Sequence, residues 1–310
     1  MQPELSSDSK LTLSMSSRSE QTTRRGLLYV CLAVTFFGMG SVLVLWSQPF
    51  SAMEIAFWRL TIATVMVAIM GLITHQPLRL TRQQVPRFLL YGLVTALHFV
   101  FYIASLSFTT IAHSLAIVYT SPIFVALFSV LVLRESLSLR KYLGIGVAIL
   151  GIAILAGFQP HYTACSLQGT GHCMVLGDGL ALLSAICYAI YSIAGRGERE
   201  RHPLFRYTTN VYGLAALWLL PATLFFAFRH AYPLRAIGAV LALGVFPLGL
   251  GHTLYNASVR HIHATYSNLI ATQEVTLGVL FGMIFLHQFP TLNAYIGGGI
   301  ALVGIIIVLL

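Results

Sequence analysis

The chain has 310 residues, of which 57% are hydrophobic and only 9% are charged. Soluble globular domains carry charge on about a quarter of their residues, so this composition excludes a soluble domain and indicates an integral membrane protein. The 18 basic residues outnumber the 9 acidic ones, but they fall in short gaps between apolar runs. That placement favours a role in membrane topology over nucleic-acid binding.

Residues 1–25 are rich in Ser and Thr and end in two arginines, and we predict a disordered cytoplasmic tail there. From Gly26 onward apolar runs follow one another, each close to the roughly 20 residues that cross a bilayer. The pattern predicts an all-α membrane protein with ten transmembrane helices, at about 27–45, 54–73, 88–108, 112–133, 141–157, 177–195, 207–227, 236–257, 264–286 and 292–310.

The second part of the chain repeats the first. Residues 102–157 align without a gap with residues 255–310 at a constant offset of 153, and 16 of the 56 pairs are identical. The identities include polar and glycine positions that shared apolar composition does not explain, such as Tyr102/Tyr255, Ser105/Ser258, Ser114/Ser267, Gly144/Gly297 and Gly151/Gly304. We therefore predict two five-helix repeats, 26–157 and 177–310, joined by an outer loop at 158–176.

Basic residues predict the orientation of the chain. With the N-terminus inside, 15 bases fall in cytoplasmic segments: Lys10, Arg18, Arg24, Arg25, Arg79, Arg82, Arg87, Arg134, Arg140, Lys141, Arg196, Arg199, Arg201, Arg206 and Arg260. Only 2, Arg229 and Arg235, fall outside. This bias predicts that both termini are cytoplasmic. Because each repeat contains an odd number of helices, the repeats would be inverted about an axis in the membrane plane.

Several motifs carry a resemblance to a known family. They are Phe57-Trp58-Arg59 in the second helix, residues 102–105 in the third, Thr120-Ser121-Pro122 in the fourth, and Leu133-Arg134-Glu135-Ser136-Leu137 at its end. With its ten helices in two halves, the chain resembles the EamA family of the drug/metabolite transporter superfamily over about residues 27–310. The second half departs from the family pattern, with Gln273-Glu274-Val275 and His287-Gln288 at the matching positions. The resemblance implies a bacterial inner-membrane carrier, in many members an exporter of amino acids or other small metabolites.

Glu274 is the acidic residue that falls in the middle of a predicted helix. An ionised carboxylate at that depth costs roughly 2.5–3.5 kcal/mol, so the group should be protonated, paired or facing a wet cavity. Two hypotheses follow. Glu274 binds a coupling proton or the amine of a substrate, or it is a neutral structural residue that bonds a neighbouring helix.

Polar side chains form two stripes on helices that the repeat relates. His98 and Tyr102 share one face of the third helix, and a comparable stripe occupies the eighth. Similar groups lie near the middle of the fourth and ninth helices. We predict a central substrate cavity lined by His98, Tyr102, Tyr119, Ser121, His252, Tyr255, Asn256 and Gln273, because inverted-repeat carriers bind substrate at the midplane. Bonds between helices are the alternative role for each of these groups.

Arg59, Pro122 and Pro247 are further candidates. Arg59 lies about five residues from the outer end of its helix, so it either snorkels to the interface or binds a substrate carboxylate. Pro122 and Pro247 interrupt their helices and are predicted kinks. The four cysteines lack metal-ligand spacing, and we expect no metal and no cofactor. A disulfide between Cys165 and Cys173 stays open.

The sequence predicts a secondary transporter of a small organic metabolite that works by alternating access around a midplane site, and the resemblance implies an exporter. A proton gradient or the substrate's own gradient would drive it, and we expect a monomer or weak homodimer in the lipid bilayer. No nucleotide-binding motif is present. Nucleic acid is not an expected partner. One alternative is an uncoupled uniporter or exchanger. Another is an intramembrane enzyme that uses His98, His252 and Glu274 for acid–base chemistry, although no metalloprotease or serine-nucleophile signature accompanies them.

Overall fold

The structure, a computed structural model, describes residues 7–105, 108, 111–156, 172–198, 200–226, 231–287 and 292–310. Within these ranges the regular elements are helices, with no strand. The α-helices are α1 (Ser7–Gly38), α2 (Gly40–Trp46), α3 (Ala52–Ile73), α4 (Val85–Ser105), α5 (Ile111–Val118), α6 (Ser121–Phe128), α7 (Leu139–Ala156), α8 (His172–Gly197), α9 (Leu204–Phe226), α10 (Leu234–Leu243), α11 (Thr253–His261), α12 (Ala264–Ala271), α13 (Glu274–Leu286) and α14 (Leu292–Leu309). Two π-helical segments, Ser129–Leu133 and Gly244–His252, continue α6 and α10.

Helical stretches in the described residues are long enough to cross a membrane. Seven of them combine sufficient length with high hydropathy: Glu20–Trp46, Ala52–Ile73, Val85–Ser105, Leu176–Gly197, Leu204–Phe225, Leu234–His261 and Ala264–Phe285. Two further apolar helices, Ser121–Leu133 and Tyr295–Leu309, are shorter. The protein is an all-α, multi-pass membrane protein, and the full count of ten crossings stays a prediction.

The first helix begins earlier than the sequence predicted. α1 starts at Ser7, so residues 7–25 are helical where we expected a disordered tail. No Pro or Gly lies in that stretch to end a helix, and Arg24 pairs with Glu20 one turn before it at 2.6 Å. The apolar span begins only at Glu20. Most of the predicted outer loop, including Cys165, lies outside the described residues.

Two helices are interrupted at points that the sequence repeat relates. α5 ends at Val118 and α6 begins at Ser121, while α12 ends at Ala271 and α13 begins at Glu274. Each pair of positions differs by the repeat offset of 153. At both breaks the backbone N–H donates to the carbonyl three residues earlier instead of four. Thr120 N donates to Ile117 O and Gln273 N donates to Ile270 O, each at 3.0 Å. The fourth and ninth predicted helices are therefore each built from two shorter helices.

Hydrogen bonds and backbone conformations also recur at the same offset. Ser105 Oγ and Ser114 Oγ are 2.5 Å apart, and the equivalent Ser258 Oγ and Ser267 Oγ are 2.8 Å apart. Arg134 and His287 both end their helices in the left-handed conformation, with φ of 57° and 53°. Both halves thus use the same bonds to hold their third and fourth helices together.

Helices from the two halves pack against each other throughout the centre. α3 packs against α9, α4 against α8, and α1 against α11. Each of these pairs takes one helix from the first half and one from the second. The interface between the halves therefore passes through the middle of the bundle, where any shared site would lie.

α7 and α14 form a separate pair in which the backbones touch. A Cβ added to Gly151 would overlap the backbone of Ala301, and one added to Gly304 would overlap that of Ala148. Gly144 meets Gly304, and Gly151 meets Gly297, so the two helices run antiparallel. Small residues allow such close approach in a membrane, where packing and not the hydrophobic effect holds helices together.

We predict that Gly151→Ala destabilises the protein, even though Ala is the better helix former by about 1 kcal/mol. The added methyl group overpacks the α7–α14 contact, an effect that typically costs about 1–3 kcal/mol. Thermal unfolding of the detergent-purified protein measures the change. Gly146→Ala is the matched control on the same helix, because nothing lies within 4 Å of its added Cβ. Equal midpoints for the two variants would contradict the packing role.

Candidate functional site

A central cavity lies between the two halves of the bundle. α4 contributes His98, Phe99 and Tyr102, and the break between α5 and α6 contributes Tyr119. The remaining lining residues come from seven other elements: Phe37, Gly40, Val44, Arg59, Leu115, Val118, Tyr188, Pro247, His252 and Glu274. No residue of α7 or α14 is among them, so that pair holds the bundle together from outside the site.

The cavity gathers seven of the twelve residues that the sequence predicted for the site or its kinks. Arg59, His98, Tyr102, Tyr119, Pro247, His252 and Glu274 line it. Ser121, Pro122, Tyr255, Asn256 and Gln273 do not. Sequence reasoning missed Phe37 and Phe99 as lining residues, because single aromatic residues in apolar runs carry no periodic signal.

Three of the predicted residues outside the cavity belong to a buried polar layer beside it. We define this polar layer as Ser121, Ser192, Tyr255, Asn256 and Asn268. Ser121 donates to Asn268 Oδ1 at 3.0 Å, and the Ser192 and Tyr255 hydroxyls are 2.6 Å apart. Asn256 Nδ2 donates to His252 O at 2.8 Å and also reaches the Tyr191 hydroxyl. These contacts favour the role of bonds between helices for the layer.

Gln273 and Pro122 have local contacts. Gln273 Oε1 accepts from Thr276 Oγ1 at 3.0 Å, within its own helix. Pro122 lies in the first turn of α6, where its missing N–H needs no partner within the helix. It therefore starts a helix after the break and does not kink a continuous one.

Two histidines face the cavity from different elements. The Ser184 hydroxyl is 2.9 Å from His98 Nδ1, and the Ser184 carbonyl is 3.1 Å from the same nitrogen. His252 ends the π-helical segment that contains Pro247, and its ring centroid is 6.5 Å from that of His98. Proline cannot donate the usual helix bond, which accounts for the widened turn. Pro247 thus interrupts its helix as predicted.

Arg59 is buried inside the cavity, and its side chain is only 5% exposed. Its Cζ lies 4.4 Å from the centroid of the Phe99 ring. The guanidinium therefore does not extend to the membrane interface, which was the structural role considered from its position in sequence.

Glu274 occupies the first turn of α13, immediately after the helix break. Tyr119 and Glu274 both line the cavity. A helix N-terminus carries a partial positive charge that stabilises a carboxylate. The break thus places the acidic group of the cavity lining where the backbone favours its ionised form.

Two ion-pair clusters lie beyond one side of the cavity. The first, the Arg196 cluster, is centred on an ion pair between Arg196 Nη2 and Glu135 Oε1 at 2.9 Å. Arg196 Nη1 also donates to Ile262 O at 2.8 Å. His263 Nε2 lies 3.4 Å from Glu135 Oε2. Burial lowers the pKa of His263, although Glu135 acts in the opposite direction. Arg196 of α8 therefore joins the segment between Leu133 and α7, through Glu135, to the loop before α12, through Ile262 O.

The Glu198 cluster ties down the neighbouring helices. Glu198 is 2% exposed, accepts from the Tyr91 hydroxyl at 3.0 Å, and lies 3.2 Å from Arg87 Nε and 3.4 Å from His202 Nε2. The cavity, the polar layer and the Arg196 cluster follow one another along α8, at Tyr188, Ser192 and Arg196. Steps of four residues rise about 6 Å each, so the cluster lies about 12 Å beyond the cavity.

The opposite side of the cavity is approached from the ends of α2 and α3. A second depression is lined there by polar and apolar residues that include Ser41, Gln48, Ser51 and Ile55. It shares Val44 and Tyr102 with the central cavity. The depression therefore adjoins the central cavity at these two residues.

We predict that Glu135→Gln opens the cavity on the side of the Arg196 cluster. Removing the carboxylate leaves the Arg196 guanidinium, which is 13% exposed, without the carboxylate of Glu135. If the closed state loses about 1.4 kcal/mol of stability relative to the open state, the population of the open state rises tenfold. The readout is maleimide labelling of Ser192→Cys in a variant that lacks the native cysteines, and labelling should rise severalfold.

The matched control is Glu20→Gln, which breaks the exposed pair between Glu20 and Arg24. Labelling in this variant should equal that of the parent. An equal rise in both variants, or no rise with Glu135→Gln, would mean that the Arg196 cluster does not close the cavity.

Comparison with known protein families gives one match that covers most of the chain. The model of the EamA-like transporter family matches residues 24–157 and 175–310. The two matched segments correspond to the two predicted repeats.

Curated relatives are named as transporters. An uncharacterized transporter of Archaeoglobus fulgidus is 24% identical, over 91% of this chain and 97% of the relative. The pseudopaline exporter CntI of Pseudomonas aeruginosa is 28% identical, over 90% of this chain and 94% of the relative. A protein crystal structure matches with a TM-score of 0.77 at 18% identity, covering 93% of this chain and 97% of that one, which shows a common fold.

Proposed function

The chain belongs to the EamA-like transporter family, and we propose that it moves a small organic metabolite across the membrane by alternating access around the central cavity. The observation that carries this proposal is the cavity itself, which is lined from both halves and contains both a carboxyl group and a guanidinium. The substrate is a small molecule such as an amino acid. The direction is export, as the name of the Pseudomonas relative states for that protein.

We propose that the chain crosses the membrane ten times, in two inverted repeats. In support, helix breaks, the Ser–Ser bonds and the left-handed residues recur at the 153-residue offset in the described parts of both halves. The antiparallel α7–α14 pair also fits, because a helix and its repeat run in opposite directions only when the repeats are inverted.

Both termini would then be cytoplasmic, and the protein would lie in a bacterial inner membrane. The excess of bases in the predicted cytoplasmic segments supports this orientation. The Arg196 and Glu198 clusters lie at the end of the bundle that these bases mark, and we propose that they close the cavity to the cytoplasm in this conformation. A transport cycle would break these pairs and close the depression at the ends of α2 and α3.

Glu274 is the group we propose to bind a coupling proton or a substrate amine. It faces the cavity from the N-terminus of a half-helix and has Tyr119 beside it. A carboxyl group that can exchange a proton from a cavity closed on one side can link proton movement to substrate movement. The alternative is an uncoupled uniporter or exchanger in which Glu274 stabilises the break between α12 and α13.

We predict that Glu274→Gln abolishes gradient-driven transport. Glutamine keeps the size and hydrogen-bonding groups of the side chain but cannot release a proton. Proteoliposomes that contain the purified chain are first screened by counterflow with labelled amino acids. Accumulation of a transported compound under an imposed proton gradient should then fall in the variant to the level of passive equilibration.

The control variant is Glu54→Gln, which alters a buried carboxyl group in the capping box of α3, outside the central cavity. It should retain gradient-driven accumulation. Undiminished accumulation with Glu274→Gln would favour the uncoupled alternative. A chemically changed product would instead favour the intramembrane enzyme.

A further inference from the structure

Arg59 is buried and, unlike the partly buried Arg196 and Arg206, has no bonded partner among the described residues. It forms no hydrogen bond and no ion pair with any residue that the structure describes, and its buried Nε is unmatched. By contrast, Arg196 bonds Glu135 and two carbonyls, and Arg206 donates to Arg79 O at 2.6 Å. A buried guanidinium without an anion is costly, because charge removed from water must be compensated.

The protein fixes this guanidinium in place. Phe99 lies against it at 4.4 Å, and stacking of a cation on an aromatic face is favourable. The π-helical segment packs closely against α3 at Arg59, because a Cβ added to Gly244 would lie 3.2 Å from Arg59 O. The side chain is therefore positioned toward the cavity although nothing in the described chain bonds it there.

Glu274 lines the same cavity and attracts Arg59 electrostatically, but the two side chains form no ion pair within 4 Å in the described structure. The lining also contains the imidazoles of His98 and His252 and three tyrosine hydroxyls. These neutral groups can donate hydrogen bonds to an anion, so a carboxylate bound at Arg59 would have further donors nearby.

We propose that Arg59 is the binding site for a substrate carboxylate, so the protein transports small carboxylic acids and not amines that lack this group. The planar guanidinium offers five N–H donors in a geometry that matches the two oxygens of a carboxylate. Phe99 supports the face of the guanidinium and leaves its donors to the ligand. This inference rests on the proposed transport function and narrows the substrate class.

The experiment compares acids with their matched amides and amines. Detergent-purified full-length protein is tested by thermal shift with L-histidine, histidinamide and histamine, and with the corresponding L-tryptophan and L-leucine sets. Acids should stabilise the protein, whereas amides and amines should not. Stabilisation by amides or amines equal to that by acids would overturn the proposal, and so would the absence of any stabilisation by acids.

Variants test the same point at the residue. Arg59→Gln should weaken acid binding by about 10- to 150-fold, the effect of losing hydrogen bonds to a charged group, and Arg59→Lys should weaken it less. Arg235→Gln is the matched control, because Arg235 also stacks on an aromatic ring, Trp46 at 5.2 Å, but lies outside the cavity. Unchanged acid binding in folded Arg59→Gln would refute the assignment. The comparison of acids with amides needs no variant, so it decides the case if Arg59→Gln does not fold.

Counterflow in proteoliposomes separates this inference from the proposed function. Transport of amines or amides without acids would leave the transporter function intact and refute the role of Arg59. No transport of any member of the panel would count against the transport function and against the inference that rests on it.

Discussion

The structure depends on the absence of water from the hydrocarbon core, because each polar group there needs a partner within the protein or a wet cavity. Many hydroxyls meet this need within their own helix. Thr64, Thr95 and Thr208 each donate to the carbonyl four residues earlier, at 2.7–3.0 Å. Other polar groups bond one another between helices, as in the polar layer. The cavity contains a further set, which includes the buried Arg59 with its unmatched Nε.

The same constraint separates the parts of the protein that can move from those that cannot. α7 and α14 touch through backbone at Gly151 and Gly304, and helices so close cannot slide without steric overlap. The Arg196 cluster is different, because Glu135 is 24% exposed and water can replace its partners at modest cost. Under the proposed alternating access, these partly exposed pairs would break while the glycine contact holds.

Much of the fold could be predicted from the sequence, because apolar runs and a repeat of constant offset are long-range signals. The cavity was harder to predict. Helical spacing placed His98 and Tyr102 on one face correctly, and the depth of Glu274 in its helix pointed to the site. Helical spacing alone did not distinguish residues of the cavity from residues of the polar layer. His252 lines the cavity and Tyr255 belongs to the layer, yet they lie less than one helical turn apart in sequence. That distinction depends on neighbouring helices, here on Ser192 of α8.

Arg59 illustrates why position along a helix does not determine a role in a membrane protein. Its distance from the helix end allowed the side chain to reach the interface, and only packing against Phe99 turns it inward. Arg59 is long enough to reach water but is buried in the cavity. The unliganded protein therefore carries the desolvation free energy of a buried charge. Such a cost is offset when an anion binds, since the ligand then recovers the interaction that the fold leaves unmade. The packing contact with Phe99 that buries Arg59 would thus also prepare the carboxylate site that we propose.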